Sequence, residues 1–119
     1  MKLKPPTEEQ ECILLAEYLD LMITIGKVIV YTHTAQETFT RSWGIKMKNK
    51  RMGVRRGIPD YVIITPKHTI FIEMKRAKKS LSKISEQQKI WVKAIKDTGV
   101  IADVCYGFDE AKELLERYL

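Results

Sequence analysis

The sequence has few cysteines, few histidines and no long apolar run. Its two cysteines, Cys12 and Cys105, lie far apart without metal-ligand spacing, which argues against a disulfide framework or a zinc site. Both sit in apolar runs and read as buried free thiols of a reducing compartment, cytosol or nucleus, and a cytoplasmic location is expected. No apolar stretch approaches the ~20 residues a membrane helix needs, and the amino-terminal MKLKPPTEEQE has no signal-peptide core. The two histidines, His33 and His68, have no spacing that suits zinc, and repeats and low-complexity segments are missing. Disorder is excluded by composition, with 45% hydrophobic and 30% charged residues. A length of 119 residues fits one domain, 1–119, able to bury a core without staples.

What the chain has in excess is positive charge. Lys plus Arg number 21 against 15 Asp plus Glu, for a formal net charge of +6. Between positions 46 and 56 stand Lys46, Lys48, Lys50, Arg51, Arg55 and Arg56, with no acidic residue among them. A second group follows at Lys75, Arg76, Lys78, Lys79 and Lys83. Such stripes suit a polyanion whose counterions are released on binding, and nucleic acid is favoured over a merely solvated basic face.

Local patterns predict the element order. Pro5 and Pro6 hold off regular structure until Thr7, which with Gln10 forms a capping box opening a helix. Its apolar positions are Ile13, Leu14, Leu15, Tyr18, Leu19 and Met22, and Gly26 ends it. Residues 28–32 read as a strand, and a short helix is expected within 39–52. Strands at 61–65 and 69–75 flank Pro66-Lys67-His68 and form a hairpin, with Ile64 pairing near Ile70. Ser85 and Gln88 make a second capping box, whose helix offers Ile90, Trp91, Ala94 and Ile95 to the core and ends at Gly99. A strand at 100–106 and a helix from Asp109 to Leu119 complete an α/β domain with a mixed sheet and helices on its faces.

The hairpin carries the chemistry. Asp60 enters the first strand directly after Pro59, and Glu73 and Lys75 lie near the end of the second. A period of two sends Glu73 and Lys75 to one face, and adjacent strands ~4.8 Å apart allow Asp60 and Glu73 to converge on one ion. Two carboxylates with a backbone carbonyl, taken as that of Met74, and waters make a hard-oxygen site for Mg²⁺ or Mn²⁺. Lys75 on the same face can orient or deprotonate an attacking water, or neutralise charge on a phosphate. A surface ion pair is the plainer reading of Glu-x-Lys taken alone.

Gly57-Ile58-Pro59-Asp60, then Phe71-Ile72-Glu73-Met74-Lys75, then Ser85-Glu86-Gln87-Gln88-Lys89-Ile90-Trp91 resembles the VRR-Nuc group of the PD-(D/E)XK nuclease superfamily. The expected α-β-β-β-α-β order is that superfamily's restriction-endonuclease-like core, here with a further C-terminal helix. The resemblance implies that Asp60 and Glu73 bind the metal, that Lys75 is the catalytic lysine, and that Gln88 is an active-site glutamine, although its capping box explains it equally well. It also implies a first-helix glutamate in the metal site. Glu11 matches best, with Glu8 and Glu17 as alternatives. Relatives often carry an Asn-containing motif where this chain has Ala35-Gln36-Glu37, a departure that leaves that loop's role open.

The activity implied is that of a Mg²⁺-dependent, structure-selective DNA endonuclease. Free-standing members of this length, as found in phages, look like homodimeric resolvases of four-way (Holliday) junctions. A flap or nicking nuclease and a non-catalytic DNA-binding module are the alternatives. Lys46, Lys48, Lys50, Arg51, Arg55, Arg56, Arg76 and Lys78 are the expected DNA contacts. Trp43 is expected to pack the short helix, with base stacking as the second reading, and Trp91 to be core. His33, ending a strand beside the site, is assigned a structural or solvent role, with a DNA contact as the second reading, and His68 a place in the turn away from the carboxylates.

Overall fold

The computed structural model describes residues 3–34 and 42–119. The Ala35-Gln36-Glu37 segment and the first part of the helix expected from position 39 lie outside the described residues. Among the described residues four helices and four strands follow one another as α1 (Glu8–Thr24), β1 (Val30–His33), α2 (Trp43–Arg51), β2 (Tyr61–Ile64), β3 (Thr69–Lys75), α3 (Glu86–Asp97), β4 (Ile101–Tyr106) and α4 (Phe108–Glu116), with a 3₁₀ turn at Lys79–Leu81. No described helix is long and apolar enough to cross a membrane.

Both capping boxes form. Thr7 Oγ1 accepts from the Gln10 amide while the Gln10 side chain accepts from the Thr7 amide, and Ser85 and Gln88 do the same for α3. The sheet order is β1-β2-β3-β4; the first two pairings are antiparallel, and β3 with β4 is parallel, the crossover running through α3.

The hairpin register is one residue off the expected one. Ile64 pairs with Thr69 and Ile63 with Ile70. The cause is in the turn: the Thr65 amide donates to the His68 carbonyl at 2.8 Å, and Thr65 Oγ1 accepts from the His68 amide at 2.8 Å, so Thr65 and His68 close it. Continued back along the strands, this register sets Asp60 opposite Glu73.

One face of the sheet presents Tyr61, Ile63, Ile70, Ile72, Met74 and Cys105 to Leu15, Leu19 and Met22 of α1 and Ala111, Leu114 and Leu115 of α4. This is the core, and its α1 stripe is narrower than expected, since Ile13 and Leu14 are exposed. Cys105 is buried and Cys12 half-buried, and burial pushes their thiols up to about 12 and about 11, so both stay protonated and unreactive.

Helix α3 lies against β3 and β4. Here the sequence expectation needs correcting: α3 has no buried residue, Ile90 is 65% exposed, and Trp91 is only half-buried. The less exposed positions are Gln88, Trp91, Val92 and Ile95, spaced i, i+3, i+4, i+7. The helix is rotated so that Gln88 meets β3, and that rotation turns Ile90 and Ala94 outward.

Candidate active site

The site forms where β2 begins and β3 ends. Asp60 precedes β2, and its Oδ2 accepts the Met74 amide at 2.8 Å, tying the two strands together. Glu73 and Lys75, two apart on β3, project to the α3 side by alternation. Lys75 Nζ lies 3.7 Å from Glu73 Oε1. Glu73 is 1% exposed and Lys75 8%, so this pair is no surface ion pair.

Gln88 at the third position of α3 reaches the same carboxylate, its Nε2 donating to Glu73 Oε1 at 2.6 Å. Its Oε1 accepts from the Ser85 amide at 2.9 Å. The capping role and the site role are thus both real, one at each end of a single side-chain amide. The other Glu73 oxygen, Oε2, is buried without a hydrogen-bond partner. A buried carboxyl oxygen without a hydrogen-bond partner is costly, and a proton or a cation at that position would relieve the cost.

The electrostatics agree. Burial, and then the negative charge of Asp60, push the Glu73 carboxyl up to about 8, against which Lys75 pulls. Asp60 is also raised, chiefly by burial, with the Met74 amide, His33 and Lys75 opposing. Two carboxyls this dry, the charge of Asp60 raising Glu73, favour a shared proton near neutral pH, and a divalent cation would be the alternative way to offset their charge. Among the described residues no three His, Cys, Asp or Glu side chains gather as a ready-made metal cluster. The chemistry of these residues would fit a cation held by Asp60 and Glu73, with backbone carbonyl and water completing its shell.

Glu11 is placed elsewhere. It is 6% exposed, and its Oε2 accepts from the Phe108 amide at the start of α4. The residue capping α4 is Gly107, which has no side chain to cap with, so the carboxylate arrives from α1. A glycine at the head of an expected helix is the readable signal for an acceptor supplied from elsewhere in the chain. One turn earlier, Glu8 lines the cleft over the site and contributes to raising Glu73, whereas Glu17 is exposed and off the cleft. Of the three first-helix glutamates considered, Glu8 is the one that lines the cleft.

The cleft above this floor has a volume of about 1130 Å³. Lys46, Asn49 and Lys50 of α2 and Val54, Arg55 and Arg56 of the following loop form its basic wall. Lys48 and Arg51 do not line it. Arg76 is engaged in structure, donating to the carbonyls of Pro6 (3.0 Å) and Pro5 (3.3 Å) and so pinning the lead into α1. Lys78 is exposed beside the 3₁₀ turn, away from the cleft. His33 does line the cleft, its ring edge-on to Tyr61 at 4.8 Å, while His68 packs on Tyr118 as its place in the turn suggested. Asn49 is a cleft residue that charge counting and motif spacing did not single out, whereas His33 stands beside the site as its strand-end position suggested.

Three contacts hold the wall to the floor. Trp91 Nε1 donates to the Arg56 carbonyl at 2.9 Å, and Thr34 Oγ1 donates to the Pro59 carbonyl at 2.9 Å. Gly57 has φ +99°, and a Cβ there would fall 2.6 Å from the Gln87 carbonyl carbon and oxygen. Only glycine lets the loop cross the first turn of α3 this closely.

The VRR-NUC domain family profile matches residues 29–109, a span that holds Asp60, Glu73, Lys75, Gln88 and the basic wall but not α1. A solved structure described as a VRR_NUC domain protein is 23% identical in sequence and superposes with a TM-score of 0.68, covering 98% of this chain and 91% of that one. At that identity the likeness is one of fold. No curated protein gives a significant match.

Proposed function

The chain belongs to the VRR-NUC family, a nuclease-type domain, and from that membership we propose that it is a divalent-cation-dependent DNA endonuclease selective for branched DNA. The observation that carries this reading is the buried, partnerless Glu73 Oε2 beside Asp60 at the bottom of a cationic cleft. Asp60 and Glu73 would hold Mg²⁺ or Mn²⁺. When bound, such a cation supplies Lewis-acid stabilisation of a phosphate and a more acidic water. Gln88 keeps the Glu73 carboxylate oriented through Oε1 and leaves Oε2 available. Lys75 stands beside that carboxylate to orient or deprotonate the attacking water and to neutralise charge developing on the phosphate.

Lys46, Lys50, Arg55 and Arg56 would grip the sugar-phosphate backbone, which positions a duplex without reading its bases. Selectivity then comes from DNA shape. Resolution of a four-way junction by two symmetric cuts needs two such sites, which a twofold homodimer provides.

The test is cleavage of a synthetic four-way junction, beside a flap and a linear duplex, with Mg²⁺ and with EDTA. Paired, junction-selective cuts that EDTA abolishes are expected, together with a rise in melting temperature on adding Ca²⁺ that is lost in Asp60→Ala. Preference for the flap by a monomer would replace the resolvase reading with a flap nuclease. Binding of DNA without cleavage under any divalent cation would leave a non-catalytic binding module.

A further inference from the structure

Trp43 opens α2 and is 74% exposed, so it does not pack the helix as its sequence context suggests. Nothing else in α2 is buried either. Trp43, Lys46 and Lys50 are spaced i, i+3, i+7 and share one face of the helix, and the two lysines line the cleft. At 1.5 Å per residue Trp43 lies ~4.5 Å along the helix axis from Lys46 and ~10 Å from Lys50, just past the residues that line the cleft. Helical side chains lean toward the helix N-terminus, which carries the indole away from Lys46 and Lys50 along the axis. Met47, four residues on, is exposed beside it.

What covers this indole is limited by its surroundings. From position 42 to 56 the chain has six cations and no acidic residue. A second copy meeting this patch with its own would set like charges against each other on a chain already at +6. A polyanion that also offers flat π faces has the complementary chemistry, and that describes nucleic acid. A continuous duplex hides those faces in its stack; a branch point, gap or single-stranded arm presents them.

We propose that Trp43 stacks on an unstacked base at a discontinuity in the DNA while Lys46 and Lys50 hold the adjoining phosphates. Trp43 thereby selects interrupted or branched DNA over continuous duplex. The inference rests on the reading of the cleft as a DNA site, but it does not require that the DNA be cut.

The experiment follows tryptophan emission of the full chain in EDTA, with Trp43→Phe used to isolate the signal of Trp91. A four-way junction or a gapped duplex quenches Trp43, and a covalently closed circular duplex does not. Trp43→Ala weakens binding to the junction by about 5-fold or more and to the closed duplex by less than about 2-fold. Trp43→Phe, which keeps a ring, stays within about 2-fold of wild type on both.

Equal loss on both DNAs, or no quenching by the junction, overturns the proposal. So does a blue shift of Trp43 emission that grows with protein concentration without DNA, which would assign the indole to a second copy. Failure of the nuclease reading looks different: the junction stays uncut in Mg²⁺ while Trp43 is still quenched by it.

Discussion

The floor and the wall of the cleft are built in different ways. On the floor Asp60 is held by the Met74 amide, Glu73 by Gln88 and Lys75, and all lie among buried strands. The wall is a helix with no buried residue and a loop fastened by Trp91, Thr34 and the close approach of Gly57 to α3. The difference follows from what each region has to do. Chemistry on a phosphate depends on sub-ångström placement of a few groups, which only a packed core supplies. Holding a phosphate chain depends on charge within a Debye length and tolerates a loosely anchored support.

If that division is right, the two regions fail separately. Lys75→Ala or Asp60→Ala should lower cleavage of a junction by about 10²–10³-fold or more while changing DNA affinity in EDTA by less than about 3-fold. Parallel loss of both, read by single-turnover cleavage and anisotropy, would erase the distinction. Gly57→Ala attacks the joint itself. The added Cβ meets main chain rather than a movable side chain, so a stability loss of about 2–3 kcal/mol in denaturant titration is expected, with both binding and cleavage impaired.

The floor should also show itself in pH dependence. The folded Glu73 carboxyl keeps its proton to about pH 8, whereas the unfolded chain releases it near the usual 4.5. The folded state therefore binds more protons between these values, and cation-free stability falls as pH rises through that window and levels off above it. Glu73→Gln should flatten the slope and stabilise the cation-free protein at pH 8 by about 1–3 kcal/mol. Cation binding near pH 7 should release a proton and tighten toward pH 8, which calorimetry in two buffers measures.

The smallest effects sharpen the wall. Replacing Lys46 and Lys50 together by Ala should reduce the slope of log affinity against log salt by about 2, and replacing Lys48 and Arg51 by less than about 1. Equal slopes for the two pairs would mean that the side of α2 facing the cleft has no special part in binding.

Much of this was legible in the chain where the causes are local. Thr7 with Gln10 and Ser85 with Gln88 start their helices through bonds spanning three residues, and the alternation of Ile72, Glu73, Met74 and Lys75 sorts those side chains by face without reference to anything distant. Errors arose where a partner lay far along the sequence. Glu11 was drawn from the cleft by an amide 97 positions away at Phe108, and the core stripe of α3 was shifted by the need of Gln88 to reach Glu73. The hairpin register is the local exception, one residue off because the Thr65 hydroxyl, three positions from His68, closes the turn.

The chain by itself determined its strands and helices, the pairing of an acidic and a basic group on one strand face, and the concentration of positive charge beside Gly57, since capping, alternation and composition act within a few residues. Tertiary structure alone decided which first-helix carboxylate lines the cleft, which lysines of α2 enter it, and that Trp43 stays uncovered. These depend on how helices are rotated and seated against the sheet, and that is set by packing among segments remote in sequence.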